Sequence, residues 1–316
     1  RLRSMVGARG RLDVSGVILL AGAPFSGCSL LAQMLGSHPQ CAAAPELKLG
    51  LADTVDGLLT LADLSQVPLL DGLLRFIAEH HGGGQHRAGI RRAMDWLEAG
   101  REASTAALLA ELTEAVAPRL LVIPDGEAAL RPDELLRWQR LAPGLRVVQC
   151  LRHPLTHGAV WAPWLHGQLY VPPDYRDHRV SPEAALVEPQ IPWLRCNRNL
   201  QRWVPEAQRT QFRMDDLETD PLTALRALCV ALGLDDGDAA LAAMQAIRGS
   251  PFAGWGPPEA PGGLEMDALA PVIDQALAIA APPSLEAEAP WQAEQEGGSR
   301  TLDAAVVALA RQYGYT

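Results

Sequence analysis

The stretch VILLAGAPFSGCSLL, residues 17–31, constrains the fold more than any other part of the chain. Its opening run, Val17–Leu20, has β-branched and leucine side chains without polar alternation, which predicts a strand covered on both faces of a parallel sheet. Two glycines, Gly22 and Gly27, follow in a short loop. The next apolar residues have helical spacing, and Gly36 and Pro39 end that helix. Strand, glycine loop and helix together predict the opening of a βαβ unit.

Strands and helices alternate along the rest of the chain, which predicts an α/β protein with a central parallel sheet flanked by helices. Further buried strands are predicted at Arg119–Ile123 and Leu145–Leu151, and a short one at Thr210–Phe212. Helices are predicted at Ala106–Val116, Pro132–Arg140, from Pro154 onward, Trp193–Trp203, Pro221–Leu232 and about Leu302–Gln312, with a mostly helical stretch over Leu51–Trp96.

The domain organisation follows from composition. Residues 1–16, rich in arginine and glycine, are predicted to be a tail or linker, and residues 17–316 a single domain. Within that domain, residues 281–300 are of low complexity and are predicted to form a surface segment.

Charge and cysteine content narrow the class of protein. A formal net charge of −10 argues against a nucleic-acid or anionic-membrane partner. The apolar run VILLAGA is too short to span a bilayer. Five cysteines lie far apart without a CxxC pair, which is typical of reduced thiols. We therefore expect a cytoplasmic protein, whose oligomeric state the sequence leaves open.

The loop Gly22–Ser29 is suited to bind an anion. The backbone N–H groups of Ser26–Leu30 would converge at a helix N-terminus, which carries about half a positive charge. The loop also fits the first part of the GxxxxGK[ST] phosphate-binding pattern, but Cys28 stands where the lysine would be. A P-loop NTPase or kinase is therefore the least favoured function. A loop that merely turns the chain between strand and helix remains an alternative.

The loop and the segments after it resemble the bacterial sulfotransferases that use 3′-phosphoadenosine 5′-phosphosulfate (PAPS). That family has roughly P-[RK]-S-G-T-[ST]-L-L, then S-H-P and a Glu-Leu pair. The chain matches this pattern at Pro24, Ser26, Gly27, Ser29, Leu30, Leu31, Ser37-His38-Pro39 and Glu46-Leu47. Further matching segments follow in order: LRVVQCLRHP (145–154), Trp193 with Asn197, FRMDDLETDPLTALRALCVALGL (212–234), GWGPPEAPGG (254–263) and LARQYGY (309–315). The resemblance covers about residues 16–316 and implies the P-loop-like sulfotransferase fold.

The resemblance also implies a site. PAPS would lie on the loop residues Pro24, Phe25, Ser26, Gly27, Cys28, Ser29 and Leu30. Arg152 would grip its 3′-phosphate, and a glycine-rich segment including Gly262 and Gly263 would close over the nucleotide. Glu46 would deprotonate or orient a hydroxyl or amine of a small or carrier-bound acceptor, although a helix-cap carboxylate near Lys48 is an equal alternative. No metal is expected.

The chain departs from the family pattern at charged and polar positions. Phe25 replaces the loop cation, Cys28 replaces a threonine, and Val160 stands where a serine usually binds the 3′-phosphate. A lysine usual before the proline of the second strand's turn is also missing near Pro124. Losing one preorganised group where charge develops typically costs about a hundred- to a thousandfold in rate.

Two hypotheses follow from these departures. In the first, the chain is a working PAPS-dependent sulfotransferase, and His153 or His157 supplies the missing positive charge. In the second, it is a pseudoenzyme that serves as a binding or scaffolding partner. Cys28 itself is either a reactive thiol, since a helix N-terminus lowers thiol pKa, or a simple small-residue replacement.

Overall fold

The computed structural model describes residues 16–65, 67–166, 188–246, 250–263, 283–289, 291 and 301–316. The predicted tail at 1–16 therefore lies almost entirely outside the described residues, as does much of the segment 281–300.

A five-stranded parallel sheet forms the centre of the structure. Its strands are β1 (Val17–Gly22), β2 (Cys41–Ala43), β3 (Leu120–Asp125), β4 (Arg146–Leu151) and β5 (Arg209–Arg213), in the order β2-β3-β1-β4-β5. All six residues of β1, the central strand, are buried, which explains its unbroken apolar sequence. Because Ala21 pairs with Asp125 and Gly22 with Cys150, the carboxyl ends of β1, β3 and β4 meet at one edge of the sheet.

Helices flank the sheet, so the predicted α/β class is confirmed. They are α1 (Cys28–Gly36), α2 (Val55–Leu64), α3 (Asp71–His80), α4 (Arg87–Ala99), α5 (Thr105–Val116), α6 (Pro132–Leu141), α7 (Pro154–His166), α8 (Gln190–Trp203), α9 (Met214–Thr219), α10 (Pro221–Leu232), α11 (Asp238–Ala246) and α12 (Ala304–Gln312). Short 3₁₀ helices lie at Leu49–Leu51, Ala128–Leu130 and Glu206–Gln208. Helix α10 ends at Leu232, as predicted, because Gly233 takes the left-handed conformation (φ 64°) that closes a helix.

Among the described strands and α-helices, β2, α9 and α11 were not predicted. Strand β2 has three residues, two of them alanine, and exists through its pairing with β3. Helix α9 follows β5 directly, and Arg213, the last residue of β5, forms an ion pair with Asp216 of α9 at 3.0 Å.

The core consists of two clusters of buried side chains. The larger surrounds the sheet, and the smaller joins α7, α8 and α12 to residues of the segment 281–300. In that segment Leu285 is 1% exposed and Trp291 is 8% exposed, so the predicted surface location is wrong for both. The ring of Trp291 packs so closely on α7 that a Cβ at Gly158 would collide with it.

Candidate functional site

The loop between β1 and α1 is a tight turn with two left-handed residues. Phe25 has φ 66° and Gly27 has φ 89°, and the Ser26 N–H donates to the Ala23 carbonyl at 2.9 Å. Glycine is required at position 27, since a Cβ there would also lie 2.7 Å from Cε of Met214. The turn delivers the first N–H groups of α1, which have no intrahelical partners, to the edge of the sheet.

The loop carries no positive side chain. Residues 23–36 contain no lysine, arginine or histidine, and the partly buried ring of Phe25 packs against the core. Cys28 is buried and hydrogen-bonds to the thiol of Cys150, and this bond, together with burial, raises the pKa of Cys28 well above its ordinary value. A thiol with a raised pKa is not an activated nucleophile, so the structure favours the simple replacement of threonine.

Arg152 lies directly after β4, on the other side of the loop from β3, and is 2% exposed. Its carbonyl accepts a hydrogen bond from Nε1 of Trp193 at 2.9 Å. On the same helix, Oδ1 of Asn197 accepts from Nε2 of Gln149, a β4 residue, at 2.8 Å. These hydrogen bonds of Trp193 and Asn197, four residues apart on α8, therefore hold the end of β4 in place and fix the position of Arg152.

His157 joins α7 to the loop between β1 and α1 (residues 23–27), which we call the phosphate loop. Its Nε2 lies 2.7 Å from the carbonyl oxygen of Pro24, and because a carbonyl only accepts, Nε2 carries the proton. Burial and, to a smaller extent, the nearby charge of Arg152 lower the pKa of His157 to about 4, although the hydrogen bond to Pro24 opposes the change. The neutral imidazole therefore lies in contact with the loop and within electrostatic reach of Arg152.

His153 is also neutral near pH 7. Its backbone N–H donates to Oδ2 of Asp215 at 3.0 Å, and its ring packs edge-on against Tyr315. Burial lowers the pKa of His153 to about 4, although the charge of Asp215 opposes the change. Burial thus disfavours the charged form of both rings in the ligand-free protein, and a positive charge on His153 or His157 with the nucleotide bound stays a prediction.

Three buried polar atoms at the start of α7 have no hydrogen-bond partner among the described residues: Nε2 of His153, Oγ1 of Thr156 and Nδ1 of His157. Because Nδ1 of His153 accepts from the Leu155 N–H at 3.3 Å, the proton of that ring is on Nε2. His153 and Thr156 thus offer two unused donors, and an unsatisfied buried polar group costs about 1–3 kcal/mol. Two such donors beside a buried arginine indicate a place for an anion.

Thr156 was not among the site residues predicted from the sequence. It lies four residues before Val160, about one helical turn, so the two side chains project from the same face of α7. Val160 stands where the family has its serine. The hydroxyl of Thr156, one helical turn earlier on the same face, was the sequence signal for this residue.

On the opposite side of the loop, Glu46, Lys48, Asp125 and Glu127 form a group that we call the carboxylate cluster. Nζ of Lys48 lies 2.8 Å from Oε2 of Glu46, and Oε1 of Glu46 accepts from the Gly126 N–H at 3.1 Å. The Glu46 side chain is 36% exposed, so it is fixed but open to a ligand. It caps no helix, but its predicted proximity to Lys48 is confirmed.

The cluster lies close to the phosphate loop. Asp125 ends β3 opposite Ala21, directly before the loop. The negative charges of Glu46 and Asp125 contribute to the raised pKa of Cys28, the first residue of α1. The phosphate loop is thus flanked by Arg152 and α7 on one side and by carboxylates on the other.

Hydrogen bonds hold the glycine-rich segment 254–263 against α3. Nη1 of Arg75 donates to the carbonyl of Gly262 at 2.9 Å, and Oδ2 of Asp71 accepts from the Gly262 N–H at 2.9 Å. A Cβ at Gly263 would collide with the Arg75 guanidinium. Packing against α3 therefore explains both glycines, and their contact with a nucleotide stays a prediction.

Among the described residues, no group of three or more His, Cys, Asp or Glu side chains is arranged to hold a metal ion. No helix in the same residues has the length and apolarity needed to cross a membrane.

The chain is similar to known proteins in both sequence and structure. A sequence model described as the sulfotransferase family matches residues 18–238. The sulfotransferase domain from the curacin biosynthetic pathway is similar in structure, with a TM-score of 0.67 and 20% identity over 97% of this chain and 99% of that one. The sulfotransferase domain from the Synechococcus PCC 7002 olefin synthase has a TM-score of 0.65 and 21% identity over 95% and 94%. No curated protein sequence matches the chain.

Proposed function

The chain belongs to the sulfotransferase family, and we propose that it transfers a sulfuryl group from PAPS to a hydroxyl or amine of a small or carrier-bound acceptor. The observation that carries this proposal is the pair of buried donors on His153 and Thr156, which have no hydrogen-bond partner among the described residues and follow the buried Arg152 closely in the chain. Leaving such donors unsatisfied destabilises the fold, so a ligand that accepts hydrogen bonds from them accounts for their presence.

The residues at the edge of the sheet suit such a ligand. Arg152 supplies a buried cation, and the side chains of His153 and Thr156 add two donors for the oxygens of a 3′-phosphate. The N–H groups at the start of α1 suit the 5′ end of the nucleotide. When bound, PAPS supplies an activated sulfuryl group.

The carboxylate cluster suits the acceptor. Glu46 is partly exposed, and it is fixed by Lys48 and the Gly126 N–H. It would take the proton when the acceptor's O–H or N–H bond breaks and the acceptor atom bonds to sulfur, while the bond from sulfur to the 5′-phosphate oxygen breaks and PAP leaves. The N–H groups of α1 would stabilise the negative charge that develops on that phosphate oxygen.

Phe25 favours a second candidate, a sulfotransferase-fold protein that binds the nucleotide without transfer. Its ring packs against the core where the family has a cation, so the phosphate loop lacks one source of charge stabilisation. For either candidate we propose a cytoplasmic location, because all five cysteines are free and buried.

Calorimetric titration with 3′-phosphoadenosine 5′-phosphate (PAP) tests the proposal, with AMP as the matched ligand that lacks the 3′-phosphate. We expect PAP to bind more tightly than AMP without added metal, and radiolabelled sulfate to be transferred from PAPS to an acceptor. Equal binding of PAP and AMP would rule out the placement of the 3′-phosphate. PAP binding without transfer across a broad acceptor panel would leave the binding protein as the function.

A further inference from the structure

Lys48 is the single lysine of the chain, among 27 lysine and arginine residues. At every other basic position the chain uses arginine. Arginine is a planar fork with five donors, whereas lysine is a compact point charge with three. One lysine in such a chain indicates a position where the compact ammonium is needed.

The conformation and burial of Lys48 support a special role. Its φ is 53°, in the left-handed region that costs a non-glycine residue energy, and its side chain is 12% exposed. Strained residues persist only where the surrounding structure holds them, and they concentrate at functional sites.

The Lys48 ammonium lies among three carboxylates, one on its own segment and two at the end of β3. Nζ is 2.8 Å from Oε2 of Glu46, 3.2 Å from Oε2 of Glu127 and 3.6 Å from Oδ1 of Asp125. A point charge with three donors matches three separate carboxylates, whereas a guanidinium fork matches one carboxylate bidentately. Without Lys48, the cluster would hold three negative charges and no cation.

Electrostatics keeps Lys48 charged. Burial alone would lower its pKa, but the charges of Glu46, Asp125 and Glu127 outweigh burial and raise the pKa well above its ordinary value. Glu134 and Cys28 are the other titratable groups within electrostatic reach of the cluster. Burial raises the pKa of Glu134 to about 7, and that of Cys28 is raised as well, so both are mainly or partly neutral near pH 7. Lys48 is therefore the cation that balances Glu46.

We propose that Lys48 is the positioning residue of the transfer reaction: it holds the Glu46 carboxylate fixed beside the phosphate loop, where Glu46 takes the acceptor's proton. The inference rests on the proposed function and assigns a role within the acceptor side of the same site.

The single lysine makes a direct test available on the ligand-free protein. Protein produced with [ε-¹³C]lysine gives one lysine side-chain signal, which belongs to Lys48. We expect the chemical shift of that signal to change in Glu46→Gln, because Oε2 of Glu46 lies 2.8 Å from Nζ. A Glu46→Gln signal that overlays that of the wild type would overturn the proposal.

Transfer kinetics supply the second test, with Lys48→Arg and Lys48→Met. Lys48→Met removes the ammonium that holds Oε2 of Glu46 at 2.8 Å, so it should lower kcat about tenfold to a hundredfold and leave the KM values for PAPS and the acceptor within about twofold. Lys48→Arg keeps a charged donor and should recover part of the rate. PAP affinity should stay within about twofold in both variants, which also shows that they fold.

Arg101→Met is the matched control, because Arg101 forms an exposed ion pair with Asp56 away from the cluster. It should not change the rate. If the wild type transfers sulfate and Lys48→Met transfers it with the same kcat, the role of Lys48 is wrong while the proposed function stands. If the wild type neither binds PAP nor transfers sulfate, the proposed function is wrong and this inference falls with it.

Discussion

Replacing Thr156 with valine tests the anion site at the start of α7, because valine has nearly the same shape without the hydroxyl. Thr156 is 3% exposed, and its Oγ1 has no partner among the described residues. In the ligand-free protein the substitution removes an unsatisfied polar group and breaks no hydrogen bond. The free energy of unfolding should therefore stay unchanged or rise by about 1 kcal/mol, in urea unfolding followed by circular dichroism.

Nucleotide binding should change in the opposite direction. A hydrogen bond from a buried hydroxyl to a phosphate is charge-assisted and contributes about 2 kcal/mol, so Thr156→Val should weaken PAP binding roughly thirtyfold. AMP lacks the 3′-phosphate, so its affinity should not change. Calorimetric titration of both nucleotides measures the difference.

Thr105→Val is the matched control. Thr105 is fully buried, and its Oγ1 donates to the carbonyl of Ala52 at 2.9 Å. That variant should lose about 1–2 kcal/mol of unfolding free energy and keep the PAP affinity of the wild type. If Thr156→Val instead loses stability as Thr105→Val does and binds PAP as the wild type does, the hydroxyl of Thr156 has a structural partner and the reasoning fails.

Three further predictions concern the same edge of the sheet. Arg152→Ala should weaken PAP binding by roughly 2 kcal/mol, and unchanged affinity by calorimetry would contradict the placement of the 3′-phosphate at Arg152. Phe25→Arg should raise the rate of radiolabelled sulfate transfer about tenfold or more, because each 1.4 kcal/mol of transition-state stabilisation is a factor of about ten; an inert variant would favour the binding protein. The pKa of His157 falls from 6.5 to about 4 on folding, so the unfolded chain binds the proton more tightly than the folded protein does. The free energy of unfolding should therefore fall, by at most about 3 kcal/mol, as the pH is lowered from 6.5 to 4. His157→Gln should remove that share of the slope in urea unfolding at pH 4–7, and a slope equal to that of the wild type would show that the ring is not buried neutral.

Local sequence determines those features of the fold that depend on the hydrophobicity and backbone conformation of neighbouring residues. An apolar run such as Val17–Leu20 has too few polar groups to face water, so it forms the central buried strand. Gly27 and Gly233 lie at left-handed positions that glycine adopts without steric cost. The α/β class, the phosphate loop and the location of Arg152 directly after β4 could therefore all be predicted.

Tertiary structure decides what depends on contacts between distant residues. Strand β2 forms through pairing with β3, and Trp291 is buried because α7 leaves space for its ring at Gly158. His157 looks like a titratable cation in the sequence, but burial against the loop keeps it neutral. Burial acts on side-chain charge only once the chain has folded, so sequence spacing cannot show it.

The candidate site divides in the same way. Arg152 and Glu46 could be found from the order of motifs, because each lies next to a recognisable segment. Thr156 and Lys48 could not, because their importance comes from what surrounds them: a buried hydroxyl without a partner in one case, and carboxylates converging from β3 and its turn in the other. Sequence therefore determines which side chains are present at this edge of the sheet, and only the folded structure decides which of them are buried, charged and close enough to act together.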